Sequence, residues 1–255
     1  MVKGIDLFRE HFSDFTEYFM LIGGSACELT LMNTGGFRAT KDIDILILLE
    51  IIDRRFAARF QDFLKLGHYE CYVSKDERRH FYRFLAPKES AFPQQLELLS
   101  RSLLPEHPEL SYTPLRIDKY VQSMSAIILS DVYYQYALSH RVMRLNLPCL
   151  DTEGLLIFKS AAYLNLLKQK ADDPESVRTD DIHKHRNDVF RLLMSIFPDA
   201  TADVPAEILP DLQAFIGCFP IPHPEWKDIT NSLGLSETMA DTLQKRYLSY
   251  FNLAR

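Results

Sequence analysis

Asp42 and Asp44 stand one residue apart at the head of a branched apolar run, Ile45-Leu46-Ile47-Leu48-Leu49. If residues 42–49 form a strand, its period of two turns both carboxylates to one face, roughly 6.6 Å apart. Ile43, Ile45 and Ile47 then turn to the other face and enter a core. Carboxylates so placed repel each other and lose solvation unless a cation lies between them, so the pair reads as a site for a hard divalent metal. The alternative is a pair of strand-end acids facing water. Upstream, Gly23-Gly24-Ser25 follows the short apolar run 18–22. Residues this small let backbone N–H groups approach phosphate oxygens. The helix read over residues 26–33, closed by Gly35 and Gly36, adds the positive end of its dipole. Metal together with polyphosphate is the chemistry these residue types imply.

The elements that must position them follow from periodicity. Ile5, Phe8, Phe12, Phe15 and Phe19 recur at helical spacing and predict an opening amphipathic helix. A second helix is expected over residues 54–66, then strands over 69–73, 80–85 and 96–99, a surface loop over 103–114 and one more strand over 126–129. The run Gln95-Leu96-Glu97-Leu98-Leu99 places an acid, Glu97, between core-facing leucines. It is the expected third carboxylate beside the aspartates, with Glu70 as the rival. From residue 150 the pattern turns helical. Asp151 or Thr152 caps a helix reaching Lys170, residues 171–177 form a polar linker, and Thr179 or Asp180 caps the next helix. Two domains result, 1–148 and 149–255. Lys159 interrupts an almost wholly apolar helix, where an ammonium is costly unless it reaches water or an anion. Asp188 stands at i, i+4 from Lys184 and is open to pairing with it.

Composition bounds these readings. The chain has 255 residues, 47% hydrophobic and 25% charged, with a formal net charge of −6. That is an ordinary globular composition, and its acidity argues against a broad nucleic-acid surface. Two local basic clusters stand out: Arg54, Arg55 and Arg59, and Lys75, Arg78, Arg79 and His80 with Arg83 nearby. The second is interleaved with aromatics and reads either as a solvated hairpin or as an RNA groove. No apolar run approaches the roughly 18 residues of a membrane span, Met1-Val2-Lys3-Gly4 does not open a signal peptide, and a cytoplasmic location is expected. Cys27, Cys71, Cys149 and Cys218 are scattered without a Cys-x-x-Cys pair and are expected to be reduced core thiols.

The ordered set of Gly-Ser turn, helix, Asp-x-Asp strand and later carboxylate resembles the nucleotidyltransferase superfamily. Arg38 and Thr40, in Arg38-Ala39-Thr40-Lys41-Asp42-Ile43-Asp44, make it similar more narrowly to the AbiEii/AbiGii toxin family. The resemblance implies an α+β fold: a nucleotidyltransferase-like mixed β-sheet flanked by helices, followed by a C-terminal helical domain. It implies transfer of a nucleoside monophosphate from an NTP to an acceptor hydroxyl, with Mg²⁺ (or Mn²⁺) on Asp42, Asp44 and Glu97, the last completing a metal shell or acting as base. Gly23, Gly24, Ser25, Arg38 and Thr40 would bind the nucleotide. Lys159 would contact its phosphates, and Lys184-His185-Arg186-Asn187-Asp188 would bring Asp188 to the same nucleotide. Two departures stand out. The interval from Ser25 to Asp42 exceeds that of the minimal nucleotidyltransferases, and Glu97 stands where the superfamily more often has aspartate. The implied biology is a toxin of a toxin–antitoxin or phage-defence pair, with tRNA as acceptor and a cognate antitoxin as partner. A small hydroxylated acceptor, as in antibiotic-modifying relatives, and a catalytically inert nucleotide-binding module stay open.

Overall fold

The computed structural model describes residues 2–32, 37–48, 53–73, 79–101, 112–114 and 125–253. The chain divides into two compact units, Met1–Asp151 and Thr152–Arg255.

The first unit opens with α1 (Ile5–His11), a 3-10 segment (Ser13–Tyr18), β1 (Phe19–Ile22), α2 (Gly23–Leu31), β2 (Asp42–Ile47) and α3 (Arg54–Leu66). β3 (Glu70–Val73), β4 (Arg79–Leu85), β5 (Gln95–Arg101), β6 (Tyr112–Pro114) and β7 (Ser125–Leu129) follow. α4 (Asp131–Ser139), β8 (Arg141–Arg144) and β9 (Leu147–Leu150) complete it. Among the described residues the strands form one sheet in the order β3-β4-β5-β2-β1-β9-β8, with β7 beside β5 and β6 beside β7. β2 runs parallel to β5, and β1 parallel to β9, whereas β1–β2 and β4–β5 are antiparallel. The sheet is therefore mixed and, with its helices, makes an α+β fold.

Hydrophobic alternation decides which face is covered. α3 starts at Asp53, whose carboxylate accepts the Phe56 N–H at 3.0 Å, and its Phe56, Phe60 and Phe63 are buried. Phe60 meets Phe84 of β4 at 5.8 Å, and Phe8 of α1 meets Phe19 of β1 at 5.5 Å. Phe84, Leu96 and Ile43 lie in register across β4, β5 and β2, so the aromatic layer seals that face. The alternate residues Arg83, Glu97 and Asp44 belong to the other face.

The second unit holds α5 (Thr152–Asp172), α6 (Thr179–Met194), α7 (Leu209–Gly217), α8 (Glu225–Ser232) and α9 (Ala240–Tyr250). Phe190, Phe215, Trp226 and Tyr247 are buried at its centre; Phe190 lies 5.2 Å from Trp226, and Phe215 lies 5.4 Å from Tyr247. No described helix is long and apolar enough to cross a membrane. None of the four cysteines is in a disulfide; Cys27 and Cys149 are buried, and burial pushes the Cys149 thiol up to about 12.

Several expected elements shift. The opening helix ends at His11 because the chain tightens into the 3-10 segment, where Phe15 leaves helical geometry, and Phe19 belongs to β1. The aromatic spacing thus spans three elements that share one core. α2 begins at Gly23 itself, three residues earlier than expected, and its expected closing glycines Gly35 and Gly36 lie outside the described residues. Within the span read as a loop, residues 112–114 form β6, while 103–111 lie outside the described residues.

Candidate active site

The Gly-Gly-Ser turn is the junction of β1 and α2. Gly23 adopts φ +65°, a left-handed conformation that glycine accepts at little cost. A Cβ there would overlap Oδ2 of Asp44, so the carboxylate is seated directly against the Gly23 backbone. At Gly24 an added Cβ would lie 2.9 Å from Thr40 Oγ1. The two glycines are thus shaped by two residues of the Thr40-Lys41-Asp42-Ile43-Asp44 run, and sequence-distant motifs meet at one point. Ile22, the residue before α2, offers no side-chain cap to the first-turn N–H groups.

Ser25 is fully buried, and its hydroxyl donates to the Ile22 carbonyl at 3.2 Å. That bond ties the helix start back to β1, so the hydroxyl serves the turn. Thr40 is buried too, and its N–H donates to Glu28 Oε2 at 3.4 Å. Glu28 went unremarked in the sequence, yet a glutamate inside Ala26-Cys27-Glu28-Leu29-Thr30-Leu31 signals itself by the same logic that singles out Lys159: a charge in an apolar helix needs a partner. The Arg38 guanidinium lies 5.2 Å over the Phe37 ring.

Asp42 and Asp44 lie on the half-exposed face of β2, alternating with buried Ile43 and Ile45. The parallel register sets Gln95 beside Asp42 and Glu97 beside Asp44. The antiparallel register sets Arg83 beside Glu97. One row across the sheet therefore reads Arg83, Glu97, Asp44, Ile22. Glu97 Oε1 accepts Arg83 Nε at 2.5 Å and also pairs with Arg83 Nη2. Arg83 was noted in the sequence only as part of a basic cluster; no local signal identifies its partner, because the contact depends on strand register. Glu70 lies on β3, with β4 and β5 between it and β2. Beyond Asp42 the surface opens into a cleft of about 350 Å³, bordered by Lys3, Leu85, Pro87, Gln94 and Gln95.

Two same-face aspartates with hard oxygen donors, packed on a glycine, suit a divalent cation of the Mg²⁺ type. Glu97 stands beside Asp44 by register; among the described residues no group of three His, Cys, Asp or Glu that could hold a metal ion is found.

Lys159 and Asp188 belong to the second unit. Lys159 Nζ lies 3.0 Å from Asp188 Oδ2, linking α5 to α6, with side-chain exposures of 4% and 0%. Lys159 is neither at the surface nor snorkelling. Lys184 pairs instead with Asp181 at 2.7 Å, so the i, i+4 pairing open to Asp188 is not formed. Arg186, also buried, donates to Glu225 Oε2 at 2.5 Å. In the basic clusters, Arg55 bonds Asp53 and Tyr18, and Arg59 donates to the His11 carbonyl. Lys75 and Arg78 lie outside the described residues.

No protein-family model matches the chain, and no curated protein matches it in sequence. Among solved structures, an antigenic nucleotidyltransferase-like protein from Paracoccidioides brasiliensis is similar at 14% identity, over 91% of this chain and 94% of that one, with a TM-score of 0.42. So low a score leaves the fold reading to rest on the sheet itself.

Proposed function

We propose that the chain is a nucleotidyltransferase that moves a nucleoside monophosphate from an NTP to an acceptor hydroxyl at the Asp42–Asp44 face. One observation carries the reading: the Asp44 carboxylate is seated on Gly23, where β1 gives way to α2, with Asp42 on the same strand face. Polyphosphate oxygens bind at the first turn of α2, where the helix dipole favours negative charge. Asp42 and Asp44 would hold Mg²⁺, which neutralises charge building on the phosphates and lowers the pKa of the acceptor hydroxyl. Arg38 adds positive charge on the same connection between α2 and β2. Ser25 and Thr40 build the turn that receives the phosphates. Lys159 and Asp188 have no phosphate role in this reading, since each already neutralises the other inside the helical unit.

Within that class we favour an AbiEii-like toxin, on the Arg38-x-Thr40-Lys41-Asp42-x-Asp44 run, with tRNA as acceptor and a cognate antitoxin as partner. A second reading, an inert nucleotide-binding module, draws on the Arg83 pairing that occupies Glu97. Incubation of the purified protein with each α-labelled NTP, Mg²⁺ and either total tRNA or a small-molecule extract separates them. Label on tRNA supports the toxin reading, and label on a small molecule assigns a modifying enzyme. NTP binding without transfer assigns the inert module.

A further inference from the structure

Glu97 stands beside Asp44 by register, the position from which a third carboxylate would join the aspartates, and Arg83 grips it from the other side. Its strand lies between β4, which carries Arg83, and β2, which carries Asp44. Both Arg83 nitrogens converge on the single oxygen Oε1 from the β4 side. The pair is partly shielded, with Glu97 at 15% and Arg83 at 34% side-chain exposure, and a two-nitrogen guanidinium grip is charge-assisted and directional.

We propose that Arg83 is a positioning residue: it clamps Glu97 toward β4, so that the site offers a cation two carboxylates instead of three. The inference rests on the proposed metal role of Asp42 and Asp44. Arg83 thereby does two things at once. It cancels the charge that Glu97 would otherwise add beside Asp44, which would raise the like-charge repulsion on that face. It also sets how strongly the aspartates capture a cation, because a carboxylate ligand withheld is affinity withheld.

Mn²⁺ binding to the intact chain, followed by loss of the free-ion electron paramagnetic resonance signal, tests this without any turnover. Arg83→Gln should tighten Mn²⁺ binding at least about tenfold, the equivalent of about 1.4 kcal/mol. Glu97→Gln alone removes no cation ligand but leaves the Arg83 guanidinium uncompensated in the row beside Asp44, so it should weaken binding and not tighten it. The double variant Arg83→Gln/Glu97→Gln restores the pair's net charge of zero, and its binding should return to the wild-type value. A field effect of the lost guanidinium predicts the same return, so Arg83→Lys decides: it keeps the charge but not the two-nitrogen grip, and tighter binding in it excludes the field effect, whereas wild-type binding in it refutes the clamp. If Arg83 instead aims Glu97 at the metal, Arg83→Gln will weaken binding as Glu97→Gln does, and the clamp is refuted while the aspartate site stands. If Asp42→Asn and Asp44→Asn leave Mn²⁺ binding unchanged, the metal role of the aspartates falls and the clamp falls with it.

Discussion

The two units treat charge in opposite ways. In the helical unit, Lys159 and Asp188 are buried to 4% and 0% exposure and neutralise each other at 3.0 Å, and buried Arg186 pairs with the partly exposed Glu225. In the sheet unit, Asp42 and Asp44 are held side by side on a half-exposed strand face, with like charge next to like. A buried opposite pair is a structural solution, since desolvated charges persist only when compensated. Two carboxylates on one strand face beside a surface cleft are placed to meet a ligand of opposite charge.

That contrast can be broken from either side. The largest effect is expected in the helical unit: Asp188→Ala strands the Lys159 ammonium in the core and should destabilise by about 3–5 kcal/mol, and Lys159→Met should cost a comparable amount. Chemical denaturation of each variant checks this, and the double variant Lys159→Met/Asp188→Leu should recover most of the loss. If both single variants melt like wild type, the pair is not a structural device.

In the sheet unit the next largest effect belongs to Gly23→Ala. The left-handed backbone alone costs a β-carbon-bearing residue about 1–2 kcal/mol, and the added Cβ must also displace the Asp44 carboxylate. Lower stability and weaker Mn²⁺ binding should appear together. Gly24→Ala, which meets only Thr40 Oγ1 at 2.9 Å, should do less of both. Equal effects at the two glycines would contradict the seating of Asp44 on Gly23.

What was legible in the sequence follows the range of the interactions. The Asp42–Ile45 alternation, the glycine turn and the Leu96-Glu97-Leu98 pattern are local, and the structure places Glu97 beside Asp44 by register. The partner of Glu97 was not legible, because it depends on β4 packing against β5. Lys159 announced that it needed an anion, but the choice of Asp188 is made by the packing of α5 on α6. The hairpin β8–β9 escaped notice because its turn, Leu145 and Asn146 at φ 48° and 62°, contains no glycine. α4 escaped because Val132-Tyr133-Tyr134-Gln135-Tyr136-Ala137 suits a strand as readily as a helix.

The smallest effect is one of pH. Burial holds His11 below the ordinary histidine pKa of 6.5, and this outweighs the opposing hydrogen bond to the Arg59 carbonyl. The unfolded chain then binds the proton more readily than the folded one, so this contribution to stability is present above about pH 6.5 and is lost as the pH falls below it toward the folded value. Denaturation midpoints across that interval should fall less steeply for His11→Gln. An unchanged slope would remove His11 as the cause.

Transfer of α-phosphate label from NTP by wild type and by Asp44→Asn, with the melting temperature recorded on the same samples, tests the central claim most directly. The account predicts transfer by wild type and its loss in Asp44→Asn by at least about a hundredfold, some 2.7 kcal/mol. The variant should melt close to wild type, because the change is isosteric and leaves Ile43, Ile45 and Ile47 on the buried face of β2. A stable Asp44→Asn protein retaining more than about a tenth of wild-type transfer, a loss below about 1.4 kcal/mol, would contradict it.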